Sequence, residues 1–93
     1  MISANMEILV LLSSGERLYG IQMVKRSSIL KRGSVYVHLA RLEATGLVSS
    51  EEEQEETIEG FPRRIYSITD KGRAACRAAT EAATAVIMQG VTG

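Results

Sequence analysis

The chain has 93 residues, 45% of them hydrophobic, enough for one domain with a modest core and too apolar for a disordered tail. Eleven basic residues balance eleven acidic ones, so a partner drawn by net charge alone is excluded, and any charged partner must be met by a local patch. A single cysteine, Cys76, and a single histidine, His38, exclude an intramolecular disulfide, a cysteine cluster and a histidine-based metal site, and no cofactor is indicated.

Ser3 can cap a first helix from about Ala4 to Ser14, with Glu7 near its positive end and Gly15 after it. Its middle, Ile8 to Leu12, is apolar on every face. That run is too short for a membrane span and has no basic leader, which predicts a cytoplasmic chain. A helix apolar all round in so small a domain has to pack on two sides. One side is expected to meet its own domain and the other, through Leu9 and Leu12, a second subunit. A second helix is predicted from Tyr19 to Ser27, with Ile21 and Val24 inward. Ile29 or Leu30 then pins the following turn to the core.

The third segment, Lys31 to Val48, organises the rest. Val35, Leu39 and Leu42 stand at i, i+4 and i+7 and share one inward face. Ser34, Val37, His38 and Arg41 cluster on a second face with basic and hydrogen-bonding groups and no acid. Glu43 falls elsewhere, on the same side as Tyr36. Gly46 stops the helix through its access to the left-handed conformation. Lys31 and Arg32 add charge at the end where the helix dipole is already positive, a cost that a bound phosphate would offset. Charge is polarised along the chain: Lys25 to Arg41 carries five cations and no acid, and Glu51 to Glu59 carries six acids and no cation. Two helices joined by a short turn, the second with a basic outer face, form a helix-turn-helix. Arg41 suits guanine O6 and N7 in the major groove, and Lys31 and Arg32 suit phosphate.

Leu47 to Glu53 and Arg63 to Thr69 read as the two strands of a β-hairpin with an acidic, loose tip ending at Pro62. Arg63 and Arg64 can either reach a flanking DNA backbone or neutralise that acidic run, and the sequence leaves both open. Thr69 can cap a last helix from Asp70 to about Gln89. Its alanine-rich face, including Ala75, Ala79, Ala82 and Val86, buries little on its own and gains by packing on the first helix of a second subunit. Nothing in the chain suggests catalysis: there is no nucleophile–base pair, no phosphate-binding glycine loop and no metal cluster.

Four motifs carry a resemblance: I-L-V-L-L-x-x-G at 8–15, Y-G-I at 19–21, G-S-V-Y-x-x-L-x-R-L-E-x-x-G-L-V at 33–48 and R-R-I-Y-S-I-T-D-K-G at 63–72. Through them the chain resembles the PadR-type winged helix-turn-helix transcriptional regulators from Met6 to about Ala79. The resemblance implies a homodimeric DNA-binding repressor whose C-terminal helix dimerises. It points to Ser34, Val37, His38 and Arg41 in the major groove and to Arg63 or Arg64 as wing contacts.

The expected architecture is mainly α with a β-hairpin, an α+β winged helix-turn-helix over 1–69 followed by a dimerisation helix over 70–93. The expected function is a homodimeric, sequence-specific regulator, with repression as the expected mode. Segment 31–45 would read double-stranded DNA at a pseudo-palindromic site. A small-molecule effector is compatible with the resemblance but not indicated. Two other readings stay open: a winged-helix protein-interaction module, and a DNA-architectural or excision accessory factor.

Overall fold

In the computed structural model, residues 3–53 and 63–92 are described, with side chains through residue 82. The hairpin tip, 54–62, with half of the acids of the acidic run and Pro62, lies outside the described residues, as does the side chain of Val86. The element order is α1 (Ala4–Leu12), β1 (Leu18–Tyr19), α2 (Gly20–Arg26), α3 (Val35–Ala44), β2 (Val48–Glu52), β3 (Arg64–Ile68) and α4 (Asp70–Thr92). The three strands form one antiparallel sheet in the order β1-β3-β2. This is the expected α+β winged helix-turn-helix.

Local chemistry sets most boundaries. The Ser3 side chain accepts from the Met6 amide at 3.1 Å and starts α1. Gly15 at φ +92° and Gly46 at φ +80° turn the chain after α1 and α3, in the left-handed region that a side chain disfavours. Thr69 accepts from the Gly72 amide at 3.0 Å and starts α4, with Asp70 in its first turn. α1 and α3 are shorter than expected. α1 ends at Leu12, and Lys31 to Ser34 is a turn whose Lys31 carbonyl accepts from the Ser34 and Val35 amides.

The core is built from α1, α2, α3 and the sheet: Ile8, Leu9, Leu12, Leu18, Met23, Leu30, Val35, Leu39, Leu42, Val48 and Tyr66 are buried. Val35, Leu39 and Leu42 share the inward face of α3 as their spacing predicts. Two sequence expectations change. In α2 the buried side chain is Met23, while Ile21 and Val24 are only half-buried. At the turn Leu30 is the pin and Ile29 stays exposed. Ser27 locks that turn. Its hydroxyl donates to Glu7 on α1 at 2.6 Å and accepts from the Ile29 and Leu30 amides at 3.0 and 3.1 Å.

Leu9 and Leu12, expected on a subunit interface, are 2% and 0% exposed in the single chain, because α3, the sheet and the start of α4 surround α1. The α1 side chain left at the surface is Val10, at 48%. The early part of α4 likewise packs on its own chain, with Ala75 and Cys76 against the core. Ala79 is half-buried, and Ala74, Ala78 and Ala82 are exposed.

The first turn of α4 is bolted to the C-terminal ends of two other helices. The Thr69 hydroxyl donates to the Gly46 carbonyl at 2.6 Å, and the Lys71 ammonium donates to the Thr45 carbonyl at 2.7 Å. The Thr69 amide donates to the Leu47 carbonyl at 3.2 Å. Arg73 donates to the Ser13 carbonyl at 3.2 Å, after α1. Lys71 and Arg73 thus place cations at the negative dipole ends of α3 and α1, where they are favourable. Gly72 permits this approach: a Cβ there would overlap the Leu47 carbonyl oxygen and lie 2.7 Å from Ile68 Cγ1.

Candidate nucleic-acid interface

α3 presents its second face outward. Val37 is 51% exposed, Arg41 is exposed, and Ser34 and His38 are half-buried. Val37 and Arg41, one turn apart on this face, can both reach base edges from a major groove. His38 turns partly inward, and its Nδ1 is buried without a hydrogen-bond partner among the described residues, as is Asn5 Oδ1 on α1. Lys31, Arg32 and Gly33 form the exposed turn ahead of α3.

Charge pairing sorts the basic residues. Arg26 forks onto Glu16 with bonds of 2.7 and 2.9 Å, and Arg17 reaches Glu51 on β2 at 2.9 Å. The bond from Arg26 holds the Glu16 carboxyl below the usual range. Lys31, Arg32 and Arg41 form no ion pair among the described residues. The turn and outer face of α3 thus gather three cations without an ion pair among the described residues.

The side of α3 that carries Tyr36 and Glu43 turns toward the hairpin. Ser50 on β2 donates to Glu43 at 2.7 Å and accepts from Arg64 at 3.0 Å, so the one acid of α3 is tied into the sheet. Arg64 also stands opposite Glu52 in the β2–β3 register. Arg64 forms no ion pair among the described residues, so both readings for it stay open. Arg63 has no ion pair among the described residues, and its guanidinium lies 5.3 Å from the centre of the Tyr19 ring, a cation–π contact.

Between α3, the start of α2 and the hairpin base runs a groove of about 460 Å³, walled by Tyr19, Tyr36, Tyr66, Glu52, Arg63 and Arg64. Tyr66 is buried, and that burial pushes its phenol above the usual range, with Glu43 adding to the effect. Sequence reasoning did not assemble this groove. Its three tyrosines lie far apart in the chain, and β1, which brings Tyr19 opposite Ile65 on β3, is two residues long and has no readable period. Among the described residues no cluster of His, Cys, Asp or Glu could hold a metal ion, and no helix is long and apolar enough to cross a membrane.

Comparison with known proteins places this geometry. The model of the transcriptional regulator PadR-like family matches residues 8–78. No curated protein matches the sequence. Among solved structures, a PadR family transcription regulator from Clostridium difficile is similar at 25% identity and a TM-score of 0.77, over 97% of this chain and 98% of that one. A PadR family regulator from Eggerthella lenta is similar at 30% identity and a TM-score of 0.73, over 95% of this chain and 77% of that one. The fold is shared with Bacillus subtilis PadR, solved in complex with operator DNA, at 19% identity and a TM-score of 0.69, over 82% of this chain and 46% of that one. A family match across most of the chain, on a winged helix-turn-helix with an exposed, uncompensated basic helix, makes this chain a member of the PadR-like family of transcriptional regulators.

Proposed function

We propose that this chain is a homodimeric, cytoplasmic repressor that binds double-stranded DNA at a pseudo-palindromic site. The observation that carries the reading is the outer surface of α3, where Val37 and Arg41 stand exposed and Lys31, Arg32 and Arg41 lack acidic partners among the described residues. Arg41 reads a base edge, with Val37, Ser34 and His38 beside it in the major groove. Lys31 and Arg32 hold phosphate and set register. The relative from Bacillus subtilis that shares the fold was solved in complex with operator DNA, which supports DNA as the partner here.

The dimer is built by α4. Its exposed alanines, Ala78 and Ala82, lie one turn apart with Ala79 beside them, and a second copy covers them. A twofold pair then sets two copies of α3 about one helical turn apart, ~34 Å, and occupancy blocks polymerase. No catalytic step and no cofactor enter this mechanism.

The test is a fluorescence-anisotropy titration of the duplex upstream of the protein's own coding region against a scrambled duplex, at two salt concentrations. Tighter binding of the native duplex, weakening steeply with salt on both, is expected. Arg41→Ala should erase the preference while leaving the scrambled duplex nearly as well bound. Absence of binding to both duplexes at low salt would reject the reading.

A further inference from the structure

We propose that Ser28, in the turn between α2 and α3, accepts a phosphoryl group from a serine kinase that selects basic residues, and that the phosphate releases the protein from DNA. The release rests on the reading of α3 as a DNA-binding helix; the acceptor site does not.

The sequence holds two copies of one pattern, two cations, a spacer, a serine and an aliphatic residue: Lys25-Arg26-Ser27-Ser28-Ile29 and Lys31-Arg32-Gly33-Ser34-Val35. A kinase cleft with acids for the cations and an apolar pocket for the last residue would take either one, provided that the segment can lie extended with its hydroxyl bare. The fold separates the two. In the second copy Val35 is fully buried, and Ser34 is half-buried with its backbone engaged. The Ser34 amide donates to the Lys31 carbonyl at 3.2 Å, and the Ser34 carbonyl accepts from the Val37 and His38 amides at 3.1 and 3.2 Å. Presenting that serine means unwinding the start of α3 and pulling Val35 from the core.

The first copy is ready as it stands. Ser28 is exposed, and neither its hydroxyl nor its backbone forms a hydrogen bond among the described residues. Ser27, the spacer, anchors the turn through its own hydroxyl and leaves Ser28 free. Ile29 is 38% exposed, while Leu30 after it holds the turn to the core. Lys25 is exposed without an ion pair among the described residues, and the Arg26–Glu16 pair lies at the surface, where it opens at little cost.

In the transfer the Ser28 oxygen bonds to the γ-phosphorus of a nucleoside triphosphate as the bond from that phosphorus to the bridging oxygen breaks. The hydroxyl proton passes to a carboxylate of the kinase, and the diphosphate leaves. The product carries a charge of about −1.5 to −2 at pH 7. Lys25 and Lys31 stand three residues away on either side, so their Cα atoms lie within about 11 Å, close to the Debye length of about 10 Å at 0.1 M salt. With Arg32 they are three cations without an ion pair among the described residues, and the phosphate offsets about two of them. Binding to the native and the scrambled duplex should therefore weaken alike, by at least about tenfold at 0.1 M salt, and the dependence of log affinity on log salt should flatten by about one to two per subunit.

The experiment incubates the full chain with cyclic-AMP-dependent protein kinase, a serine kinase of this class, and Mg-ATP, beside a synthetic peptide of residues 22–38. Tandem mass spectrometry should find phosphate on Ser28 alone in the folded chain and on both serines in the peptide. Ser28→Ala should end incorporation into the folded chain. The phosphorylated chain should show the loss on both duplexes, and a phosphatase should restore binding. Phosphate on Ser34 of the folded chain, or none on Ser28, would overturn the acceptor site. Phosphorylated protein that binds DNA as tightly as the unmodified chain would overturn the release alone. Unmodified protein that binds neither duplex would overturn the release together with the DNA-binding reading, while the mass spectrum still decides the acceptor.

Discussion

Replacing Gly72 by alanine tests whether the first turn of α4 is clamped as tightly as its contacts imply. The residue is helical and buried, and the added Cβ meets the Leu47 carbonyl oxygen, a backbone atom that cannot swing aside as a side-chain tip can. Making room means moving α4 away from the end of α3. That loosens the Thr69 amide bond to Leu47, the Thr69 hydroxyl bond to Gly46 and the Lys71 bond to Thr45. Overpacking of this kind costs about 1–3 kcal/mol, and weakening bonds worth about 1 kcal/mol each keeps the value near the upper end. Alanine returns roughly 1 kcal/mol through its higher helix propensity. The balance is a loss of about 2 kcal/mol, which lowers Tm by roughly 8–16 °C for a domain of this size. Thermal unfolding followed by circular dichroism, at one fixed protein concentration, reads the shift. Gly33→Ala is the control: its Cβ would have no neighbour within 4 Å and its φ is not positive, so its Tm should stay within about 2 °C of wild type. A Gly72→Ala protein that melts at or above the wild-type temperature would refute the clamp.

Ser27→Ala should lower the urea midpoint through a loss of about 1–2 kcal/mol, with the m-value unchanged, because one hydroxyl serves Glu7 and two turn amides and the part-buried Leu30 amide loses its acceptor. An unmoved midpoint would mean that water replaces the hydroxyl without penalty. Cys76 is half-buried, and burial pushes its thiol above the ordinary range, so less thiolate is present in the folded chain than in the unfolded one at a given alkaline pH. Iodoacetamide should then alkylate the native chain more slowly than the urea-unfolded chain, with the pH–rate midpoint moved upward. The linked stability is present below the unfolded thiol's pKa and is lost as pH rises through the folded one. Coincident pH–rate profiles would reject the shift.

The elements most legible in the sequence are those fixed by local chemistry or by period. The i, i+4, i+7 series of Val35, Leu39 and Leu42 gave the inward face of α3, and Ser3, Thr69, Gly15 and Gly46 marked the helix ends. The exposed positions Val37 and Arg41 followed from the same helical geometry. What the sequence hid depends on tertiary neighbours. The apolar run of α1 suggested a second subunit against Leu9 and Leu12, yet the short sheet suffices, with α3 and the start of α4, to enclose it. β1 is only two residues long and exists through its pairing with β3. The role of Gly72 as a point of close approach is invisible without Leu47 beside it. Tyr36 was readable as lying off the base-reading face, but not as a wall of a groove, because Arg63 and Tyr19 reach it through the sheet.

The bolt at the start of α4 turns that helix into a lever. Its 23 residues span about 34 Å, while the fastening at Thr69, Lys71 and Arg73 and the core packing of Ala75 and Cys76 occupy only its first two turns. A tilt of about 5° at the bolt carries the far end through roughly 3 Å, and a push at the far end returns to α3 as a much smaller, stiffer displacement. The fastening also sets a phase. One residue inserted after Arg73 would turn every later position of α4 by about 100° relative to α3, whereas four would bring it back to within about 40°. The helix can therefore change length cheaply only in near-whole turns, since the direction in which its outer face looks is measured from the helix that Lys71 and Thr69 grip.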